Sequence, residues 1–196
     1  PLFAVILLLA GCAPRGRNGG GALFIEIKNA PLAAMDPQLE QQSEAMHRYL
    51  LGQLAVTHQD FPDALKNLSE ASKLTNAASP SLHGQLAELN VREGKLTEAL
   101  AEVNKALEAA PADERYLLLA AGVNEALNRF AEAEELYQRV IAAWPDNLEA
   151  HVLLSGLYTK QRDFTRAIEV LKKLTAKPAF EAMGRYYLGH VYELKG

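Results

Sequence analysis

The one strongly nucleophilic side chain in this sequence is the thiol of Cys12, the single cysteine among 196 residues. Within these residues, a lone cysteine excludes an intramolecular disulfide and a metal site built from several thiolates. Cys12 follows an uncharged apolar run from Leu2 to Gly11. That run is shorter than the roughly 20 residues of a membrane-spanning helix, and it suits the apolar core of a secretory signal. Cys12 therefore bears on where the protein is located and not on a reaction that it catalyses.

The remaining titratable residues show no spacing typical of a catalytic or metal site. The sequence has no H-E-x-x-H motif and no two histidines four residues apart, and we interpret the histidines as surface or groove residues. Glu132, Glu134 and Glu135 lie at a predicted helix start, where the helix dipole favours negative charge, so they indicate a solvated helix start and not a catalytic pair. With no G-x-S-x-G or Ser-x-x-Lys motif either, the sequence predicts no enzymatic activity, metal or cofactor. The histidines are His47, His58, His83, His151 and His190.

The composition favours a helical protein that does not bind nucleic acid. Hydrophobic residues make up 49% of the chain and aromatic residues 7%, and Ala and Leu dominate where Val and Ile would mark strands. The formal net charge of -4 at pH 7 gives no case for a basic surface that would bind phosphates. We therefore expect no nucleic-acid partner.

The residues before the cysteine, Leu9-Ala10-Gly11-Cys12, resemble the lipobox of bacterial lipoproteins, in which an apolar residue and two small residues precede a cysteine. The resemblance implies that residues 1–11 are a lipoprotein signal peptide. It further implies that the chain is cut before Cys12, that the thiol carries diacylglycerol and that the new amino terminus is acylated. No basic stretch precedes the apolar run, a departure from the family pattern that we attribute to a truncated start. The alternatives are an ordinary signal peptide and a buried apolar strand with a chance cysteine.

Acylation at Cys12 would make the membrane attachment permanent. Each buried methylene adds about 0.8 kcal/mol, so two or three acyl chains hold a protein firmly. By resemblance to the sorting rules of Gram-negative bacteria, an inner-membrane lipoprotein would have Asp after the cysteine, where this sequence has Ala13. The expected location is therefore the bacterial cell envelope, lipid-anchored in the outer membrane and facing the periplasm.

A tether is predicted between the lipidated cysteine and the folded domain. Pro14 to Gly21 includes three consecutive glycines, which favour a flexible segment, and we assign residues 12–37 to the cysteine and its tether. Leu23 to Ile27 is a short alternating segment that could pair as a strand or pack on the first helix. Asp36-Pro37 is typical of a helix entry, so the folded domain is predicted over residues 38–196.

The rest of the chain repeats with a period of 34 or 35 residues. A large apolar residue recurs at Phe61, Leu96, Phe130 and Phe164, and an alanine follows three residues later each time, at Ala64, Ala99, Ala133 and Ala167. This pattern resembles the tetratricopeptide repeat, in which each unit is a pair of antiparallel helices. The resemblance implies an all-α fold, a tetratricopeptide-repeat right-handed superhelical solenoid. The predicted units are 45–78, 80–113, 114–147 and 148–181, with a partial fifth unit from 182.

The recurring residues have packing roles in this resemblance. Alanine lets the two helices of one unit approach closely, and the phenylalanines fill the cleft that remains. Gly52 and Gly189 occupy the family's small position in the first helix. Trp144 is expected to pack under the first helix of the next unit, and the alternative is an exposed anchor for a partner.

In the tetratricopeptide family, the first helices of successive units line a concave groove that binds peptides or partner helices. Transferring the family's groove positions to this sequence gives twelve candidate partner-binding residues. They are Tyr49, Gln53, Glu88, Arg92, Leu118, Gly122, Glu125, Val152, Gly156, Thr159, Tyr186 and His190.

The chemistry of these positions indicates what the groove would bind. The family's clamp for a C-terminal carboxylate needs Lys and Asn at fixed groove positions, and this sequence has neither residue type there. Gly122 and Gly156 would open a shallow trough beside Leu118 and Val152, which suits an apolar or helical segment. The alternative interpretation is that the two glycines only ease helix packing. The clamp positions hold Tyr49, Gly84, Leu118 and Val152, followed by Gln53, Glu88, Gly122 and Gly156.

Together these features predict a membrane-tethered scaffold or adaptor that binds partner proteins or peptides through its groove. One alternative is the non-catalytic part of a larger enzyme that continues beyond residue 196. The other is a cytosolic adaptor, in which the apolar start is not a leader. The sequence does not predict the partner, the envelope pathway or the oligomeric state.

Overall fold

The structure is a computed structural model that describes residues 36–75 and 79–196. Cys12, the glycine-rich segment and Leu23 to Ile27 lie outside the described residues, so the expectations about them stay predictions. The predicted helix entry at Asp36 is confirmed, because the first helix begins at Pro37 and the Asp36 carboxylate accepts a hydrogen bond of 2.9 Å from the backbone N–H of Gln38.

The described part of the chain is all-α, as predicted, and no strand occurs in it. It contains nine α-helices, and a short 3₁₀ helix, Pro178–Phe180, precedes the last of them. No helix in these residues combines the length and the apolar character needed to cross a membrane. The helices are α1 (Pro37–Thr57), α2 (Phe61–Leu74), α3 (Pro80–Arg92), α4 (Leu96–Ala109), α5 (Glu114–Ala126), α6 (Phe130–Ala143), α7 (Leu148–Lys160), α8 (Phe164–Thr175) and α9 (Glu181–Lys195).

The first eight helices form four pairs, α1 with α2, α3 with α4, α5 with α6 and α7 with α8. A three-residue turn joins the helices of each pair, and its middle residue adopts a left-handed backbone with φ between 59° and 72°. Glycine favours this conformation, and Gly94 adopts it in the second pair. The backbone N–H of the third turn residue donates to a carbonyl in the last turn of the first helix, as when Lys95 donates to the Asn90 carbonyl at 2.8 Å. The other middle residues are Gln59, Asn128 and Arg162.

The alanines of the repeat lie at the closest approach of the two helices in each pair. All four are fully buried, with 0% of their surface exposed, and Phe61, Phe130 and Phe164 are partly buried beside them. Gly52 has a similar role, because a Cβ on it would lie 2.6 Å from the Leu68 side chain. The small residues of the repeat therefore set the spacing within each pair.

Successive pairs pack through the second helix of one pair and the first helix of the next. Trp144 follows α6 and packs with Val140 of α6 and Ala150 of α7, which confirms its expected packing role. Tyr158 of α7 is buried, and its hydroxyl donates to the Glu134 carboxylate of α6 at 2.8 Å. Burial, followed by the hydrogen bond to Glu134, raises the pKa of Tyr158.

Three ion pairs join the third pair of helices to the fourth. Arg166 of α8 lies 3.1 Å from Glu134 of α6, and Lys160 of α7 lies 3.6 Å from Glu125 of α5. Lys177, after α8, lies 2.7 Å from Asp146, after α6. The prediction that the glutamates at the start of α6 form only a solvated helix start is therefore wrong for Glu134. A helix-dipole argument considers α6 alone, whereas Arg166 comes from another pair.

We expect Ala133→Leu to destabilise the protein by roughly 1–3 kcal/mol, because three extra carbon atoms would be forced between α5 and α6. Ala131→Leu is the matched control, since Ala131 is exposed on the same helix and the change there should cost less than about 0.5 kcal/mol. Urea denaturation followed by circular dichroism measures both free energies of unfolding. Equal stability of the two variants would contradict the packing assigned to Ala133.

Candidate partner-binding surface

All twelve candidate residues lie on the first helices of the pairs or on α9, and none of them is buried. We call the surface that they form the first-helix surface. Half of its residues are exposed and half are partly buried, so each is within reach of a partner. The exposed residues are Glu88, Arg92, Gly122, Gly156, Tyr186 and His190, and the partly buried residues are Tyr49, Gln53, Leu118, Glu125, Val152 and Thr159.

Gly122 and Gly156 lie at equivalent places in α5 and α7 and face open space. Apart from its chain neighbours and the backbone of its own helix, a Cβ built on either glycine would meet no heavy atom of the described chain within 4 Å. The alternative interpretation, in which these glycines ease helix packing, is therefore wrong for the described residues. Leu118 and Val152, each one turn earlier on the same helix, are partly buried and leave part of their apolar surface accessible. We call these four positions the trough, after the shallow apolar groove that the sequence predicts there.

Gly84 has the opposite environment, although the family alignment places it at a groove position. It is buried, and a Cβ on it would lie 2.5 Å from Cε1 of Tyr116. Tyr116, at the start of α5, is itself only 6% exposed. The absence of a side chain at Gly84 therefore makes room for an aromatic ring of the next pair.

Glu125 of α5, three residues after Gly122, is held by residues of two neighbouring helices. Its carboxylate lies 3.6 Å from Lys160 Nζ of α7 and accepts a hydrogen bond of 3.4 Å from the Tyr137 hydroxyl of α6. Lys160 Nζ also lies 5.3 Å from the centre of the Phe130 ring. Burial, and then the Glu125 charge, raise the pKa of Tyr137, so this hydroxyl stays protonated and donates. The charge of Glu125 is therefore already paired.

The two ends of the first-helix surface differ. At the α1 end, Gln53 Nε2 donates to Gln85 Oε1 of α3 at 2.8 Å, and the Arg92 guanidinium lies 5.1 Å from the centre of the Phe61 ring. At the α9 end, Tyr186 is 70% exposed and meets the Tyr187 ring edge-on, with 5.3 Å between the ring centres. The α1 end is thus tied to neighbouring helices, whereas an aromatic ring projects at the other end.

A cavity of about 930 Å³ lies beside Tyr49, between α1 and the start of α3. Its lining is neutral and includes Gln42, Met46, Leu74 and Leu82. The sequence analysis missed this cavity because the repeat starts the first unit at residue 45, whereas α1 begins two turns earlier. The signal was present in the Asp36-Pro37 helix entry, which extends α1 beyond the repeat.

Two histidines differ from the prediction that all are surface or groove residues. His83 and His151 are buried, with 9% and 3% of their surface exposed. His83 Nδ1 lies 2.7 Å from the Glu102 carboxylate, and His151 Nδ1 lies 2.7 Å from the Asn147 carbonyl oxygen. They share one register position, 68 residues apart, whose counterpart in the third pair is the buried Leu117. The repeat itself could therefore have identified them as core residues.

The carboxylate of Glu102 is stabilised in its charged form. Burial acts to raise its pKa, but hydrogen bonds from Lys105 and His83 together outweigh burial, and the net pKa is lowered. This arrangement is a structural contact between α3 and α4. Across the described ranges, no group of three His, Cys, Asp or Glu residues is placed to hold a metal ion.

The two kinds of glycine lead to opposite expectations for substitution by alanine. Gly84→Ala should destabilise the protein by roughly 1–3 kcal/mol, because the new Cβ collides with the buried Tyr116 ring. Gly122→Ala should stabilise it by roughly 0.5–1 kcal/mol, because alanine loses less backbone entropy in a helix and meets open space. Urea denaturation measures both changes, and a loss of stability in Gly122→Ala would show that something packs there.

Comparison with solved structures shows what this fold is similar to. The crystal structure of MamA is 21% identical, covers 80% of this chain and 84% of its own, and superposes with a TM-score of 0.66. A tetratricopeptide repeat protein from Parabacteroides merdae is 21% identical and has a TM-score of 0.64, and the match covers 80% of this chain and 63% of that protein. YrrB, described as a tetratricopeptide repeat protein with an unusual peptide-binding site, is 17% identical over 82% of this chain and 84% of its own, with a TM-score of 0.61.

Sequence comparison identifies the family independently of the fold. No curated protein sequence matches this chain. Two family descriptions of the tetratricopeptide repeat do match it, one over residues 49–114 and one over residues 126–183, and together they span more than half of the sequence. With the paired helices and buried alanines described above, these matches show that the chain belongs to the tetratricopeptide repeat family.

Proposed function

We propose that this protein is a non-catalytic scaffold that binds a segment of a partner protein on its first-helix surface. The observation that carries the proposal is the trough at Gly122 and Gly156. Glycine in a helix interior costs roughly 0.5–1 kcal/mol relative to alanine, and here no neighbouring side chain requires it. The two glycines lower the surface beside Leu118 and Val152, so a partner helix or extended segment can approach the backbone closely.

The partner segment is expected to be apolar where it meets the trough. Leu118 and Val152 offer apolar contact, and the charge of Glu125 is already paired with Lys160. An acidic C-terminal tail is a poor candidate, because the family's clamp positions have no lysine to bind its carboxylates. An apolar helix face laid into a groove is a common recognition mode for peptides. The peptide-binding site named for YrrB supports a peptide or protein as the kind of ligand.

The proposal places the scaffold at a bacterial membrane through lipidation of Cys12. Its support is the sequence Leu9-Ala10-Gly11-Cys12 at the end of an apolar run. Acyl chains on Cys12 would hold the protein at the outer membrane, facing the periplasm, and the segment up to residue 37 would separate the repeats from the bilayer. In this role the protein gathers or positions partners in the envelope.

Photocrosslinking tests the surface. A benzophenone amino acid at Leu118 of the full chain, expressed in a Gram-negative host, should give a discrete adduct on irradiation. Gly156→Leu should reduce that adduct about tenfold, because it fills the trough, and this corresponds to about 1.4 kcal/mol of lost binding free energy. The same probe at Glu135, exposed on α6, is the matched control. An equal adduct from both sites, or none from Leu118, would refute the proposed surface.

Membrane fractionation tests the anchor separately. The wild-type full chain should sediment with the membranes, and its mature mass should begin at Cys12 and include the lipid. Cys12→Ser should move the protein to the soluble fraction, because the acylated thiol is the attachment. An unmodified wild-type chain that retains residues before Cys12 would refute the lipoprotein assignment and favour a cytosolic adaptor.

A further inference from the structure

A cavity of about 390 Å³ lies between α6, α7 and α8, and this volume is within the range of small-molecule sites. Ile141, Leu154 and Val170 form the apolar part of its lining. The buried His151 and the exposed Lys173 also line it. None of the twelve residues of the first-helix surface lines this cavity, so it is a separate feature of the fold.

The second pair of helices has the same two residue types around a carboxylate. His83 and Lys105 are the counterparts of His151 and Lys173, 68 residues earlier in each case. His83 Nδ1 lies 2.7 Å from one oxygen of the Glu102 carboxylate, and Lys105 Nζ donates to the other oxygen at 2.8 Å. Burial acts to raise the pKa of Glu102, but these two partners together lower it. The second pair is therefore an internal example of a carboxylate held by a histidine and a lysine.

The fourth pair of helices has no carboxylate at this place. The counterpart of Glu102 is Val170, 68 residues later. Among the described residues, the ion pairs of α8 are formed by Arg166 and none is formed by Lys173. The cavity therefore has the histidine and the lysine of the second pair without the acid that they bind there.

Leucines fill the equivalent space in the third pair of helices. Leu117 of α5, the counterpart of His151, packs with Leu107 of α4 and Leu136 of α6. The counterpart of Leu136 is the smaller Val170. A polar ring and a shorter side chain therefore leave open, beside α8, the space that leucines fill beside α6.

The His151 ring presents one nitrogen without a partner to the cavity. Only 3% of the residue is exposed, and Nδ1 lies 2.7 Å from the Asn147 carbonyl oxygen. Because a carbonyl oxygen only accepts, Nδ1 carries the proton of the neutral ring. Nε2 has no hydrogen-bond partner in the described ranges, where every fully buried side-chain nitrogen or oxygen has one. Nε2 is therefore open to solvent in the cavity.

We propose that this cavity is a carboxylate-binding site, and that its ligand is a small aliphatic monocarboxylate. The ligand's carboxylate lies between Nε2 of His151 and Nζ of Lys173, as the acid of the second pair lies between its histidine and lysine. The aliphatic chain packs on Leu154 and Val170. Glu169 also lines the cavity, and its charge disfavours a second carboxylate on the ligand. The site does not depend on the proposed function, because no residue of the first-helix surface takes part.

Carboxylate binding is coupled to proton uptake by the His151 ring, because only a protonated Nε2 can donate to the ligand. The titratable groups that share the cavity are Tyr158 of α7 and Arg166, Glu169 and Lys173 of α8, and α6 contributes only uncharged residues to the lining. A bound carboxylate favours the charged ring over the neutral one. The affinity should therefore rise as the pH falls from about 8 to 6.

Hexanoate is the probe, with hexanamide as its uncharged counterpart and adipate as the dicarboxylate of equal length. In the full chain carrying Cys12→Ser, hexanoate should shift the NMR signal of the His151 ring saturably, with a Kd of about 1 mM. Hexanamide and adipate should each bind at least about tenfold more weakly. Equal binding of hexanamide, or no saturable shift with hexanoate, would overturn the proposal, and equal binding of adipate would overturn the restriction to monocarboxylates.

Variants of α8 locate the binding. Lys173→Met should weaken hexanoate binding at least about tenfold, whereas Lys172→Met, at a neighbouring exposed lysine outside the cavity lining, should leave it unchanged. Val170→Glu should abolish binding, because it supplies the carboxylate that the second pair has in Glu102, and Val170→Thr should retain it. Circular dichroism checks that each variant is folded. Equal affinity in Lys173→Met and Lys172→Met would place the ligand elsewhere and refute the site.

An acidic side chain of a partner protein is the other source of such a carboxylate. A benzophenone amino acid at Ala142, which is exposed and lines the cavity, tests for it in the full chain expressed in a Gram-negative host. With a small acid as the ligand, irradiation should give no protein adduct that depends on the cavity. A discrete protein adduct that disappears in Val170→Glu would show that a partner supplies the carboxylate, and it would overturn the assignment to a small molecule.

Discussion

A side chain no larger than a methyl group lies between the two helices of each complete pair. With Ala64, Ala99, Ala133 and Ala167 all at 0% exposure, the backbones approach each other closely, and no larger residue fits without moving a helix. This contact fixes the geometry of each hairpin and so sets the direction in which its first helix faces. The position of every residue on the first-helix surface depends on it. Because each pair then packs on its neighbour, a disturbance at one alanine affects the stack at that layer first.

The fold was predictable because steric requirements recur at a fixed step. Each alanine and each large apolar residue three positions before it occupies the same place in its unit, and the step of 34 or 35 residues shows this without coordinates. The N-cap at Asp36 was predictable too, since a carboxylate followed by proline has a local effect on the backbone. Interactions between pairs of helices were not predictable from the sequence. The contact of Glu134 with Arg166, for example, depends on the directions of two side chains that belong to different pairs.

The glycines show the same limit within the candidate site. Gly84 and Gly122 are both helical glycines transferred from family groove positions, yet one lies against a tyrosine ring and the other faces open space. Only the residues of adjacent helices distinguish the two glycines. A glycine in the sequence does not indicate whether another side chain or solvent occupies the space beside it. His83 and His151 differ again. Their shared register made them predictable as core residues, but a residue-by-residue search for metal ligands considers each histidine alone.

The ion pairs between the third and fourth pairs of helices distinguish this interface from the other interfaces of the stack. We call each interface between successive pairs a joint. Within the described ranges, every ion pair that joins two different pairs of helices lies at this joint. The joint between the first and second pairs has a hydrogen bond between Gln53 and Gln85 and the contact of Arg92 with the Phe61 ring. Partly exposed charges are screened as ionic strength rises, and apolar packing is not. The stiffness of the solenoid therefore depends on ionic strength more strongly at this joint than at the others. As ionic strength rises, we therefore expect the contact between α6 and α7 to loosen first, so that the part of the solenoid with Gly156 bends more freely against the part with Gly122.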